Sequence, residues 1–305
     1  MYTYQAFQLS ILSDLFLPEL TNGESSTGLT DTNLIRIQLG TVNPDGLGFN
    51  DPHFQSTPMR TWLYIPDVAR FWIENGNTVI VEPLNNVNSA TLRLFLLGSC
   101  MGILLMQRDL LLLHGNAICV GDRCISIVAD SGLGKSTLSG AFMKRGYSIL
   151  ADDICAINRQ NHVLPSFPQI KLCTDAVAEL GMSTEALEPI MPRLEKFAVP
   201  LGNQYHSDPL SLALVYVLNV HEKKDVTLES VSGPQKIQPL HYHVYRKEFL
   251  KVLQKEHFYF TRCAQIASEI AVVHIKRPIS GFQLDALVSA IENDLQARGL
   301  LARAH

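Results

Sequence analysis

Nine consecutive residues restrict this chain more than any others: Ala129-Asp130-Ser131-Gly132-Leu133-Gly134-Lys135-Ser136-Thr137. They satisfy the pattern (G/A)-x-x-x-x-G-K-(S/T), whose backbone N–H groups turn inward to form a nest for a β-phosphate. Gly132 and Gly134 permit that turn because they carry no Cβ. Lys135 would neutralise β- and γ-oxygens, and the Ser136 hydroxyl would ligate Mg²⁺. The flanks agree with the motif. Cys124 to Ala129 reads as a buried strand, and Thr137 to Arg145 has helical period and closes at Gly146. Strand, loop and helix in that order is the context the motif requires, so Asp130 to Thr137 is expected to hold nucleotide phosphates.

Composition excludes more than it assigns. A chain of 305 residues allows one large domain or two modest ones. Its 47% apolar and 18% charged residues suit a globular core, and a net charge of −4 argues against a chain-wide nucleic-acid surface. Cys100, Cys119, Cys124, Cys155, Cys173 and Cys263 form no C-x-x-C pair and mostly sit in apolar runs, which reads as buried reduced thiols. No basic stretch precedes the N-terminal apolar run, which Asp14 interrupts. The greasiest segment, Leu92 to Met106, is about fifteen residues, too short for a bilayer, so a buried helix, a cytoplasmic location and no membrane partner are expected.

Residues 1 to about 85 read as β-rich, with strands at Leu34–Leu39, Trp62–Ile65 and Thr78–Val81, turn chemistry at Asn43-Pro44-Asp45-Gly46 and a hairpin loop at Glu74-Asn75-Gly76-Asn77. Asp67 to Ile73 is a short strand or a helical turn. Trp62 and Trp72 could line a peptide groove, but core packing is the better reading. A helix follows, capped at Asn88 or Ser89 and running to about Gln107. Leu110 to His114 is a buried strand that returns through Gly121-Asp122-Arg123 and places His114 beside the phosphate loop. A histidine ending an apolar run is usually a satisfied core group; here its neighbourhood keeps a functional role equally open. Tyr147 to Ala151 is a strand ending in Asp152-Asp153, where nucleotide enzymes hold Mg²⁺. On an extended chain the two carboxylates point to opposite faces, one toward metal and one toward a substrate hydroxyl.

Farther on, a hairpin is expected over Ile154 to Leu164, an extended segment over Pro165 to Leu172, and helices at Asp175–Leu180 and from Ser183 to about Ile190. Lys196 to Val199 is a short strand, and Arg193 and Lys196 are the basic candidates for phosphate contact, with plain surface charge an equally open reading. Ala213–Val220 and Ala271–Ile275 read as strands, Arg246–His257 as a helix, and Phe282–Arg298 as an amphipathic helix. His241 and His243 would share one side of a strand, and surface histidines are the better reading than a metal pair.

Leu113-His114-Gly115, Ala129 to Thr137, and Leu150-Ala151-Asp152-Asp153, in that order, resemble the catalytic domain of HPr kinase/phosphorylase. The resemblance covers residues 110 to about 175. It implies ATP and Mg²⁺ as cofactors, Asp152 as general base on a serine hydroxyl, and Asp153 and His114 as the assisting acid and histidine. It further implies Lys135 on the phosphates and Ser136 with Asp153 on the metal. The family's Glu-x-Arg-Gly-Leu-Gly-like stretch, tied to phosphorolysis, has no counterpart between Pro165 and Gly181, which argues against the reverse reaction and against HPr as substrate. The fuller pattern, with Pro165-Ser166-Phe167-Pro168-Gln169-Ile170-Lys171-Leu172, is similar to HPr-kinase-like enzymes found beside lasso-peptide biosynthesis genes.

The expectation is therefore an α/β protein: a P-loop kinase domain of the HPr kinase C-terminal type over residues 88–305, with a β-rich N-terminal region over residues 1–87. Its expected activity is ATP-dependent transfer of a γ-phosphoryl group to a serine of a peptide or small protein, in particular the C-terminal serine of a lasso precursor, in a homo-oligomer that binds no nucleic acid. An HPr-type or small-metabolite kinase and a non-catalytic ATP-binding regulatory module are the alternatives.

Overall fold

The computed structural model describes residues 1–23, 33–43, 53–184, 187–191, 194–280 and 284–302. The first eight strands are β1 (Tyr2–Ala6), β2 (Leu9–Ser13), β3 (Thr21–Asn22), β4 (Leu34–Leu39), β5 (Phe54–Thr57), β6 (Arg60–Ile65), β7 (Ala69–Glu74) and β8 (Thr78–Pro83). They form one sheet in the order β3-β1-β2-β4-β8-β7-β6-β5. Alternation sets its faces. Ile35, Ile37, Phe71, Ile73, Val79 and Val81 point into the main core, while Trp62, Tyr64, Trp72 and Ile80 make a small cluster with Val42 on the other face. Trp62 thus packs directly opposite Trp72, as core rather than as a groove. The turn between β7 and β8 has Asn75 and Gly76 both at positive φ, the signature of a tight Asn-Gly hairpin. Asp67 to Ile73 resolves into a turn at Asp67 and strand β7. Pro44 to Gly46 of the expected turn lie outside the described residues.

One long helix then crosses beneath this sheet as α1 (Ser89–Phe95), a π-helical segment (Leu96–Cys100) and α2 (Met101–Gln107), capped by the Asn88 side chain on the Ala90 and Thr91 N–H groups. By length and hydropathy Ser89–Gln107 could cross a membrane, yet 67% of its most apolar window is buried inside the protein. It is a core helix, held between β7 and the next sheet. Each of its fully buried leucines contributes about 1.5–3 kcal/mol of transfer free energy.

The second sheet contains β9 (Leu111–Val120), β10 (Arg123–Ala129), β11 (Ile149–Ala151), β12 (Ile154–Ile157), β13 (His162–Val163), β17 (Leu210–His221), β18 (Thr227–Val231) and β19 (Ala271–Pro278). Its path is β10-β9-β12-β13-β17-β19-β18, with β11 on β9, and β10 also pairs in parallel with β17, so five strands close into a ring. Both faces are covered, which is why these strands read as continuous apolar runs. Along β17, Leu212, Val215 and Val217 enter one core while Leu214, Tyr216 and Leu218 enter the other. The second core is roofed by α3 (Lys135–Lys144), α4 (Thr174–Glu179) and α8 (Leu284–Ala297), the first by α5 (Ile237–Tyr242), α6 (Glu248–Val252) and α7 (Glu256–Glu269). A small antiparallel sheet, β14 (Gln169–Cys173), β16 (Leu194–Pro200) and β15 (Glu188–Met191), lies against α3 and α4.

Three expectations are corrected. Ser183 does not start a helix to Ile190; Glu188–Met191 is an edge strand, where Pro189 removes no needed donor, whereas inside a helix it would break a hydrogen bond. The helix expected over Arg246–His257 is two helices, broken at Gln254, which has φ 55°. His241 and His243 lie on and just after α5, not on a strand. The C-terminal helix forms as expected, with Leu287, Ile291 and Leu295 buried; Phe282 is outside the described residues.

Candidate active site

Strand β10 delivers Ala129 to the loop, and α3 starts at Lys135. Gly132 (φ 86°) and Gly134 (φ 93°) are left-handed. A Cβ on Gly132 would meet nothing within 4 Å, so backbone conformation, not space, demands glycine there. The loop closes on itself through Leu133 N–H to the Asp130 carbonyl at 3.3 Å. From the end of β19, the Arg277 guanidinium donates to the Leu133 carbonyl at 3.2 Å, bracing the loop from outside. Asp130, Ser131 and Gly132 are exposed; Leu133, Gly134, Ser136 and Thr137 are half-buried; Lys135 is buried. The opening turn of a ten-residue helix has N–H groups without an intrahelical acceptor, which can face an anion.

His114 reaches this loop because β9 lies between β10 and β12, pairing Gly115 with Val128 and His114 with Ile154. Gly115 is required by proximity: a Cβ there would sit 2.9 Å from the Ile127 carbonyl oxygen. The His114 backbone N–H donates to the His243 carbonyl at 2.7 Å. Its ring joins two partners, with Nε2 3.1 Å from Lys135 Nζ and Nδ1 3.3 Å from Asp153 Oδ1. Lysine can only donate and an ionised carboxylate can only accept, so partner chemistry assigns the proton to Nδ1. Burial, followed by Lys135, lowers the His114 pKa and keeps the ring neutral at pH 7.

The acid pair follows β11 in a bend, with Asp153 at φ 69°. The chain is not extended there, so the expected projection to opposite faces gives way to a shared partner, Lys171. Its backbone N–H donates to Asp152 Oδ2 at 3.0 Å and its ammonium to Asp153 Oδ2 at 3.2 Å. Asn116, fully buried, fixes the bend: its carbonyl oxygen accepts from the Asp153 N–H at 3.3 Å, and its amide donates to Ser139 of α3 at 2.7 Å. Asp152 is 4% exposed, and its Oδ1 has no hydrogen-bond partner among the described residues. Asp153 is the accessible acid, its side chain 29% exposed.

The two carboxyls are driven apart. Burial, then the Asp153 charge, pushes Asp152 up to about 6. Burial also pushes Asp153 up, but Lys171, His114 and Lys135 outweigh it and hold it at about 2. Lys171 is lowered by burial and raised more by the two carboxylates, so it stays charged. Burial lowers the Lys135 pKa, with the two acids opposing. Lys196, exposed on β16, lies within electrostatic reach of His114 and Lys135. Arg193 is outside the described residues.

A cavity of about 390 Å³ opens over this arrangement, walled by His114, Asp130, Ser131 and Asp153 on one side and by Tyr242 to Glu248 on the other. His243 is buried in that wall and held by burial at about 4, hence neutral. Tyr245 packs its ring 5.9 Å from that of His114, and burial and Asp153 raise its pKa. Nothing local in the sequence places Asn116, Tyr245 or Arg277 at this site, and His243 reads there as a surface group. Lys171 carried a signal: a lysine at the centre of Gln169-Ile170-Lys171-Leu172 occupies a strand position flanked by buried residues. The others carried none, because their importance comes from long-range pairing.

Among the described residues no group of three or more His, Cys, Asp or Glu could hold a metal by itself. The donor set does fit Mg²⁺ in another form, through the Ser136 hydroxyl, an ionised Asp153 and nucleotide phosphates. Asp153 Oδ2 accepts from the Lys171 ammonium and Oδ1 lies 3.3 Å from His114 Nδ1, and each oxygen keeps a further lone pair.

No protein-family profile matches the sequence, and no curated protein matches it. Among solved structures, the HPr(Ser) kinase/phosphatase from Coxiella burnetii is similar at 14% identity over 62% of this chain and 99% of that one, with a TM-score of 0.30. A likeness that distant carries no argument, and what the site can do follows from its own geometry.

Proposed function

We propose that this chain is an ATP-dependent phosphotransferase acting on a serine hydroxyl of a peptide. One observation carries the reading: a phosphate-type loop whose lysine is linked through His114 to a carboxyl pair held at about 6 and about 2. Carboxyls driven that far apart divide the work of base and charge partner. The loop N–H groups and Lys135 would take the triphosphate, with Lys171, Lys196 and Arg277 supplying further positive charge against Asp130, Asp152 and Asp153. Lys135 would leave His114 for the phosphate oxygens, while the His114 Nδ1–H stays on Asp153. Mg²⁺ held by Ser136 and Asp153 would neutralise charge on the β- and γ-oxygens.

In the transfer, the serine oxygen forms a bond to the γ-phosphorus as the bond to the β–γ bridging oxygen breaks, and ADP leaves. The serine proton would go to Asp152 Oδ1, which has no hydrogen-bond partner among the described residues; that oxygen is buried here and has to be uncovered as the acceptor binds. A base near 6 is ionised at neutral pH and still basic enough to accept that proton. Because phosphoryl transfer is chiefly positioning and charge stabilisation, Lys135 carries most of the transition-state burden. The acceptor we propose is the C-terminal serine of a lasso precursor peptide, supported by motif order alone.

The test is mass spectrometry after incubation with ATP, Mg²⁺ and a serine-ended peptide library, run beside small hydroxylated metabolites. Phosphoserine on peptides, lost in Lys135→Met and reduced at least about a hundredfold in Asp152→Asn, is expected. Nucleotide binding without any transfer of the γ-phosphoryl group would leave only a nucleotide-binding module.

A further inference from the structure

Phe7 and Gln8 alone form the turn between β1 and β2, because Ala6 pairs directly with Leu9. Both have positive φ, 54° and 57°, in a turn whose conformation favours Asn-Gly. Neither residue suits it, and a bulky side chain at positive φ is strained. Such strain persists only where the surroundings hold it, and the contacts of Phe7 show what does so. Its ring is 1% exposed and packs edge to face with Phe167, ring centroids 5.4 Å apart. Its backbone N–H donates to the Pro165 carbonyl at 2.8 Å.

Pro165 and Phe167 flank Ser166, and Ser166 holds the buried acid. Its Oγ, itself fully buried, accepts from the Asp152 N–H at 3.2 Å, and its own N–H donates to the Leu150 carbonyl at 2.9 Å. Farther along the same stretch the Lys171 N–H donates to Asp152 Oδ2 at 3.0 Å. One segment, 166–171, thus grips Asp152 by both main chain and side chain. That segment does little to hold itself, because Pro165 and Pro168 have no N–H to donate. It is fixed by bonds donated to it: from the Phe7 N–H to Pro165, from the Tyr205 hydroxyl to the Ser166 carbonyl at 3.1 Å, and from the Leu201 N–H to the Pro168 carbonyl at 3.0 Å. Of these donors, Tyr205 and Leu201 follow β16, while Phe7 belongs to the N-terminal sheet.

We propose that Phe7 is a positioning residue for phosphoryl transfer: the strained hairpin tip of the N-terminal sheet pins the Pro165–Pro168 stretch, so that Ser166 and Lys171 hold Asp152 where the acceptor hydroxyl meets it. This role presupposes the phosphotransferase reading above. It gives the N-terminal sheet a part in catalysis although no described residue of β1 to β8 lines the cavity over the phosphate loop. An Asn-Gly turn would close the same hairpin without strain, but it would bring no ring to Phe167. A local rule broken in this way, with its strain held by contacts to the segment that carries the acid, marks a residue retained for the site rather than for the turn.

The experiment compares the full chain with Phe7→Leu, Gln8→Gly and the double variant, in transfer from ATP with Mg²⁺ to a serine-ended peptide. All are assayed well below their melting temperatures, so that each is folded. Phe7→Leu keeps an apolar side chain but gives up the ring contact, while Gln8→Gly, at an exposed position, eases the turn. Phe7→Leu should lower kcat about tenfold and leave the KM for ATP within about twofold of the parent's, as expected for a misplaced acid beside an intact nucleotide site. Gln8→Gly alone should keep the parent's kcat. Adding it to Phe7→Leu should raise the melting temperature without restoring kcat. In the double variant the Asp152 amide, followed by NMR hydrogen exchange, should exchange at least about tenfold faster than in the parent, while the Leu138 amide of α3 is unchanged. A kcat that recovers with stability, or Asp152 exchange equal to the parent's, overturns the proposal and leaves Phe7 a core residue. A parent chain that binds ATP but transfers nothing overturns the kinase reading instead, and Asp152 exchange then decides whether Phe7 fixes the acid.

Discussion

Replacing Asp152 by Asn should make the protein more stable and nearly inactive. Asn keeps the shape and an acceptor for the Lys171 N–H but removes a buried negative charge. The folded-state pKa of about 6 lies roughly two units above the ordinary 3.8, and each unit corresponds to about 1.4 kcal/mol. Ionised Asp152 therefore costs the fold about 3 kcal/mol above pH 6, where folded and unfolded chains both carry the charge. That cost shrinks as pH falls from 6 toward 4, because the folded chain takes up the proton first, and it vanishes below about pH 4, where both states are neutral. Asp152→Asn should accordingly gain most at pH 8, up to about 3 kcal/mol, and nothing at pH 4. Urea unfolding of both proteins from pH 4 to 8, with phosphoryl transfer assayed in parallel, is the measurement. A variant that is destabilised equally at every pH would mean that Asp152 is an ordinary structural acceptor, and the division of labour between the acids would fail with it.

Lys171→Met should act on both carboxyls, since Lys171 lowers each of them. The acidic limb of the pH–rate profile should move to higher pH by a unit or more; a plain loss of rate with an unmoved limb would refute the assignment. Gly102→Ala should destabilise by about 1–3 kcal/mol and slow transfer, because its Cβ would sit 2.9 Å from the Tyr245 ring, which packs on His114. Thermal melts and kcat check it, and an unperturbed variant would show that Tyr245 is free to move.

The loop, its strand and its helix were legible because glycines and a lysine at fixed spacing encode a local structure. The Asn75-Gly76 hairpin and the helix from Asn88 were legible for the same reason. The acid pair was legible as a strand end, but its geometry was not: a left-handed residue at 153 follows from Asn116 and Lys171, which lie 37 and 18 residues away in sequence. His243 reads as a surface group in the sequence because no further ligands stand beside His241 and His243 to make a metal site; the pairing of the His114 N–H with its carbonyl brings it into the cavity wall. Pro189 was the missed warning in the segment expected as a second helix after Gly181.

The left-handed backbone at Asp153 also restricts what can stand there. Asp and Asn visit that region with several-fold preference over other side chains, glycine does so freely, and β-branched residues are strained in it. Chemistry and conformation thus overlap at very few amino acids. A charge-neutral Asn at 153 keeps that backbone conformation but leaves the Lys171 ammonium with Asp152 as its remaining carboxylate, so no other amino acid meets both the conformational and the electrostatic demand of this one position.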